Sequence, residues 1–285
     1  MKTPPQIHRR TLIGGIFAAS LLPHAAAATP FASSRMSVTV QGTGPDVILI
    51  HGLDSSRGVW NGTLPALAGY RYHLVQIAGF AGVPAGGNAK GPIIGSLATE
   101  IARYIADSRL IRPALIGHSM GGTIGLMVAA RWPARIGRLM VVDMLPAPAG
   151  LLGGDAQGIA PIAERLTELF TATPQGRRSF ESLMRMFGGS GATSDPDVTA
   201  RTLRELAATD LTPELPKITA PTTVVFATPA PGSTLTPAQV RQTYATAYRG
   251  AKQLTLTPIA DSGHMIMFDQ PTRFNAAVRS FLAAR

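Results

Sequence analysis

Gly117-His118-Ser119-Met120-Gly121, with Gly122 directly behind it, sets a serine among small residues in the G-x-S-x-G pattern. A serine so placed sits on a sharp strand-to-helix turn in a strained backbone conformation, which small neighbours permit. Its hydroxyl then stands clear of the sheet, where a base can reach it. The flanks agree: Ala114-Leu115-Ile116 is a short apolar run, and Thr123 to Arg131 reads as a helix. The chemistry predicted is nucleophilic attack, which needs a base because a hydroxyl is a poor nucleophile at neutral pH.

Six histidines are available. His8 and His24 belong to an N-terminal segment set aside below. His73 falls inside a predicted strand and reads as a core or surface residue. His118 lies within the turn, where its side chain must point away from the attack direction. His51 ends the first strong strand and suits shaping a loop better than acting as base. His264, in Asp261-Ser262-Gly263-His264, follows the last predicted strand and precedes the last helix. It is the candidate base. The oxygen that becomes negative in acyl transfer needs two backbone N–H groups aimed at it. Met120, next to the serine, supplies one. The loop His51-Gly52-Leu53 supplies the other, assigned to Leu53, with Gly52 allowing close approach of the main chain.

These residues need a frame. Apolar runs at Asp46–Ile50, Tyr72–Ile77, Ala114–Ile116, Leu139–Val142, Thr223–Phe226 and Gln253–Leu256 alternate with helical patterns at 94–108, 237–248 and 272–284. That alternation predicts an α/β protein, a parallel sheet covered on both faces. Pro237 and Pro271 suit helix starts. From Leu145 to Pro216 no strand is expected. There Ile162, Leu166, Leu169 and Phe170 share one helical face, and Leu183, Met184, Met186 and Phe187 form a second apolar group. Residues 145–216 therefore read as a small helical cap set into a core of 29–144 and 217–285. The cap's apolar faces either pack onto the core or line a pocket of modest size. Gly79 to Gly95 reads as an exposed glycine-rich loop in which Asn88 and Lys90 are the polar candidates for substrate contact. It is not a phosphate cradle, lacking the Gly-Lys-Ser/Thr ending.

Residues 1–28 have the build of a secretory signal: Lys2, Arg9 and Arg10, an apolar stretch from Thr11 to Pro23, then Ala25–Ala28. Adjacent arginines before a glycine-diluted apolar core suggest twin-arginine export to the periplasm or beyond. Its removal takes the formal charge from +10 to about +7. The remaining basic residues are dispersed, with Arg177-Arg178 the one adjacent pair, so nucleic acid is not an expected partner. No window reaches the roughly 18 apolar residues of a membrane span, and none is expected in the mature chain. With no cysteine, disulfides, thiolate metal sites and a cysteine nucleophile are excluded.

His51-Gly52, the turn at Ser119, and Ser262-Gly263-His264 followed by Asp269-Gln270-Pro271 together resemble the α/β-hydrolase family, from about Val38 to Leu282. The resemblance implies a mostly parallel sheet of about eight strands with helices on both faces, a Ser–acid–His triad in that chain order, and neither cofactor nor metal. It does not imply a substrate. Most members carry the acid after the strand that here is Thr223 to Ala227, yet Thr228-Pro229-Ala230-Pro231-Gly232 has no carboxylate. Asp143, after Leu139–Val142, resembles the subset, small acyl-ester hydrolases among them, whose acid follows the preceding strand. Asp143 as a cap-orienting residue, Asp261 and Asp54 are the alternatives. The expected reaction is two-step acyl transfer on a small-molecule ester with Ser119, His264 and Asp143. Carbon–carbon bond hydrolase, lactonase, thioesterase and perhydrolase chemistry share that triad, and a non-catalytic ligand-binding protein is the alternative of another class.

Overall fold

A computed structural model of the chain describes Met1 and residues 31–149, 193–230, 232–233 and 235–284. The signal-like segment beyond Met1, the apolar stretches 161–171 and 183–187, and Arg177-Arg178 lie outside the described residues, as does 150–192 of the expected cap.

Seven strands form one sheet among the described residues. They are β1 (Met36–Gly42), β2 (Asp46–Ile50), β3 (Arg71–Ile77), β4 (Ala114–His118), β5 (Arg138–Val142), β6 (Thr222–Thr228) and β7 (Leu254–Ala260). Their spatial order is β1-β3-β2-β4-β5-β6-β7. Only β1 runs antiparallel, pairing with β3, and every other pairing is parallel. Six of these strands coincide with the six apolar runs. β1 is the exception because only Met36 is buried along it, so an edge strand bathed in solvent carries no apolar run.

The alternation of side chains along a strand sorts the core into two layers. Ile48 and Ile50 of β2, Leu115 of β4, Val141 of β5 and Phe226 of β6 face one layer. Helices α1 (Ile94–Asp107), α2 (Met120–Arg131) and α4 (Pro237–Ala247) cover that face. Val47, Leu49, Ile116, Met140, Val142 and Val225 face the other. It is covered by α5 (Pro271–Ala283) and by a helical turn at Arg57–Trp60, whose Trp60 ring stacks on Phe274 at 6.4 Å. Each fully buried aromatic of this kind stabilises the fold by about 1.5–3 kcal/mol. Pro237 and Pro271 each occupy the first position of their helix, where a missing N–H costs nothing.

Between β5 and β6 the described residues hold α3 (Pro196–Ala208) and a helical turn at Thr212–Lys217. Asp195 caps α3 by accepting from the Asp197 and Val198 amides at 2.9 and 3.0 Å. From α3, the Glu205 carboxylate accepts the Ile93 and Ile94 amides at 2.9 Å, satisfying donors that the start of α1 would otherwise leave open. Arg201 of α3 donates to the Asn88 and Gly91 carbonyls.

The loop Gly79–Gly95 is largely exposed or half-buried from Ala81 to Pro92, as expected, but it is pinned at Asn88, which is turned inward rather than offered to a substrate. Asn88 is fully buried. Its amide donates to the Arg35 and Ala78 carbonyls and accepts from the Arg35 guanidinium, each at 3.0 Å. A buried amide is worth burying only when so satisfied, and here it staples the loop to the segment leading into β1. Lys90 is exposed. His73 is a core residue, with Nδ1 against the Tyr104 hydroxyl at 2.6 Å and Nε2 against Asp46 at 2.8 Å.

Candidate active site

The singled-out residues follow the carboxyl ends of strands in one region of the sheet. His51 follows β2, Ser119 follows β4, Asp143 follows β5 and His264 lies just beyond β7. In parallel α/β sheets this is the edge where ligands bind, since loops there leave room between strand ends.

Ser119 has φ +54° and ψ −121°, a left-handed backbone that costs a non-glycine residue about 1–3 kcal/mol. The neighbours show what makes it possible. A Cβ on Gly117 would sit 2.1 Å from the Gly121 carbonyl oxygen, and one on Gly121 would sit 2.3 Å from the Ile50 carbonyl oxygen. Glycine is therefore obligatory on both sides. The Ser119 N–H donates to the Val142 carbonyl at 2.9 Å, and its own carbonyl accepts from Gly122 at 2.7 Å. These bonds hold the turn between β5 and α2. Because α2 begins at Met120, the Met120 N–H has no acceptor within the helix and lies where the helix dipole favours negative charge.

The second expected donor is oriented by a histidine. His51 is fully buried. Its Nε2 accepts the Ile77 N–H at 3.1 Å, so the ring proton must sit on Nδ1, which donates to the Gly52 carbonyl at 2.8 Å. That carbonyl shares one trans peptide plane with the Leu53 N–H, which must point the opposite way. His51 thus sets the direction of the Leu53 N–H. Burial drives the His51 pKa down to about 4, keeping the ring neutral and this arrangement intact at ordinary pH. A Cβ on Gly52 would lie 3.1 Å from the Ser119 Cβ, which is the close approach anticipated for that glycine.

Asp143 also has a left-handed φ, +51°, and is 8% exposed. Its Oδ2 lies 2.8 Å from Nδ1 of His264. A carboxylate only accepts, so Nδ1 carries a proton, and in the neutral ring that leaves Nε2 as the acceptor. Oδ1 accepts from the Ala227 N–H at 2.9 Å and from the Tyr244 hydroxyl at 3.1 Å. Of the rival carboxylates, Asp261 is exposed and its own carbonyl takes the Gln270 side chain at 2.9 Å. Asp54 is buried in the loop that follows β2. Neither is the carboxylate bonded to His264.

His264 is half-buried and held from two sides. Asp269 accepts the Gly263 N–H at 2.8 Å, fixing the loop ahead of it. His118 donates from Nε2 to the His264 carbonyl at 3.0 Å, and the two rings stand 4.7 Å apart. Burial first, and the neighbouring His264 second, press the His118 pKa down to about 3. His118 is therefore a neutral tie between the serine turn and the His264 loop. Sequence reasoning missed Tyr244, Ala227 and this role of His118. The sequence signal for the first was Tyr244 and Tyr248, one helical turn apart in a helix of few apolar residues.

Among the described residues no helix is long and apolar enough to cross a membrane. No group of three or more acidic, histidine or cysteine residues there has the arrangement of a metal site.

Comparison with known proteins places this geometry in context. The chain is 36% identical over 129 residues to a pimeloyl-(acyl-carrier protein) methyl ester esterase of Aeromonas hydrophila, covering 44% of this chain and 48% of that protein. It thus spans about half the length of the first curated relatives it matches. A protein of the same name from Vibrio vulnificus is 25% identical over 87% of this chain and 98% of its own. Among solved structures, an esterase from Exiguobacterium antarcticum superposes with a TM-score of 0.67 at 21% identity, over 87% of this chain and 96% of the other. An enol-lactonase from Burkholderia xenovorans does so at 0.63 and 23%, with the same coverage. At such identities the likeness is one of fold. The family model described as "Alpha/beta hydrolase family" matches residues 47–277, and with its parallel sheet and serine turn the chain belongs to that family.

Proposed function

We propose that the protein is a serine hydrolase that cleaves a small carboxylic ester by two-step acyl transfer through Ser119. One observation carries the reading: Asp143 Oδ2 bonds His264 Nδ1 at 2.8 Å at the strand ends that present the strained serine. His264, with Nε2 as acceptor, takes the Ser119 proton as the oxygen attacks the ester carbonyl. The Leu53 and Met120 amides hold the negative oxygen, and Asp143 fixes the tautomer and stabilises the imidazolium. Water, activated by the same imidazole, then releases the acyl group. No step calls on a cofactor or metal. The names of the relatives, methyl ester esterases, support ester cleavage as the reaction.

The substrate class is a small-molecule ester with an apolar acyl or alcohol group of modest size, in keeping with the Leu, Met and Phe content of residues 145–216. Export by the 1–28 signal places the reaction outside the cytoplasm. A fluorophosphonate probe tests the core of this reading. It is expected to label Ser119 in the parent and not in Ser119→Ala, whose hydrolysis of p-nitrophenyl esters should fall by several orders of magnitude. A folded parent that never labels, or a Ser119→Ala variant of parental activity, sinks it. A panel of p-nitrophenyl esters of rising chain length, run beside lactones and thioesters, ranks the acyl group.

A further inference from the structure

Relocating the acid to β5 raises a problem of aim. A carboxylate swings easily about its last torsion, a broad, two-fold minimum. Asp143 also reaches His264 across the end of β6, which lies between β5 and β7. Something must fix which oxygen faces the imidazole. On Oδ1 two donors converge, the Ala227 N–H of β6 at 2.9 Å and the Tyr244 hydroxyl of α4 at 3.1 Å.

We propose that Tyr244 is a positioning residue for the acyl-transfer reaction, its hydroxyl holding Oδ1 of Asp143 so that Oδ2 is presented to His264. The inference rests on the reading of Asp143 as the triad acid. Tyr244 is 3% exposed, so its hydroxyl needs a partner, and a carboxylate can only accept from it. Its ring stacks on Phe226 of β6 at 4.2 Å and 16°, which fixes the direction of the C–O bond. One turn on, the Tyr248 hydroxyl donates to the Met144 carbonyl at 2.7 Å. α4 thus grips both the Asp143 side chain and the main chain beside it. Burial, with Asp143 adding to it, pushes both phenols above their ordinary range, so Tyr244 stays a donor at any working pH.

Among the described residues, the titratable groups coupled to the Asp143–His264 pair are Tyr244 and Tyr248 from α4 and the neutral His118 at the end of β4. Losing the Tyr244 donor returns to the carboxylate the electron density that the hydrogen bond had drawn off, so the carboxylate then holds the imidazolium formed in the reaction more tightly. For Tyr244→Phe, which keeps the ring stack, kcat on a p-nitrophenyl ester should fall about tenfold, as for loss of one hydrogen bond to a charged group. KM should stay within about twofold, and the acid limb of the kcat/KM profile should move to higher pH. Tyr248→Phe, which loses only the bond to Met144, should lower Tm with the acid limb in place.

Replacing all five tyrosines with 3-fluorotyrosine strengthens the same donor without removing it. The limb should then move the opposite way, and this arm decides the matter if Tyr244→Phe does not fold. Parental kcat and an unmoved limb in Tyr244→Phe, or an unmoved limb in the fluorinated protein, overturn the proposal. Asp143→Asn, run beside them, separates the two readings. Full turnover there removes the acid assignment itself, whereas its collapse beside a silent Tyr244→Phe removes only the role of Tyr244.

Discussion

Asp143 receives hydrogen bonds from β6, from α4 and from the loop after β7, respectively through Ala227, Tyr244 and His264. Each uses a different acceptor direction of the two oxygens, which is what holds a short side chain to one rotamer. Asparagine in its place would offer an NH₂ or a neutral oxygen to Nδ1. It would lose the charge that stabilises the imidazolium and would invite the wrong tautomer. Asp143→Asn is therefore expected to lower turnover roughly a thousandfold or more, while Asp261→Asn, altering an exposed carboxylate, should stay close to the parent. Steady-state assays of the two variants on one ester check this, and the reverse pattern would move the acid to Asp261.

At the scale of elements, the turn at Ser119 is a meeting of three backbones rather than a local motif. Gly121, in the first turn of α2, lies so near the end of β2 that an added Cβ would meet the Ile50 and His51 carbonyl oxygens at 2.3 and 2.8 Å. Backbone oxygens at strand ends cannot swing aside as a long side chain would. Gly121→Ala must then push α2 away from β2, the strand whose end carries the His51–Leu53 loop. A loss of about 3 kcal/mol is expected, at the upper end for overpacking, read as a lower urea midpoint. Fluorophosphonate labelling of the remaining folded protein should slow as well, because the Met120 N–H moves with the helix. Unchanged midpoint and labelling rate would show that the turn tolerates the shift.

The whole molecule carries a pH liability built from its buried histidines. His51 and His118 are pressed down to about 4 and about 3, against 6.5 for the same residues in the unfolded chain. Between those values the unfolded chain binds protons that the folded one refuses. Their contribution to stability is complete above pH 6.5 and is lost as pH falls, at about 1.4 kcal/mol per unit for each group. The urea midpoint should be level from pH 8 to 7 and then drop steeply between pH 6 and 4. A level midpoint down to pH 4.5 would contradict the neutral, buried assignment of both rings. With no cysteine in the chain, no disulfide offsets that loss.

Much of this architecture is legible in the amino-acid sequence. β2, β4 and β5 are buried on both faces, so their residues read as short apolar runs. The serine turn was legible because Gly117 and Gly121 are demanded by contacts a few residues away in sequence or on the adjoining strand end. What local pattern does not contain is the partner of a side chain across the sheet. Asp54, Asp143 and Asp261 are alike as residue types near strand ends, and the choice among them depends on strand order. His264 lies 121 residues from Asp143, Tyr244 lies 101 away and Ala227 lies 84 away. Asn88 read as a polar candidate for substrate contact and is a buried staple for the same reason, since its partner Arg35 is 53 residues distant. The sequence by itself determined the fold class, the turn that strains Ser119 and the loop that bears His264. Only the tertiary structure decided which carboxylate meets that histidine, because that bond forms between strand ends brought together by the β5-β6-β7 order of the sheet.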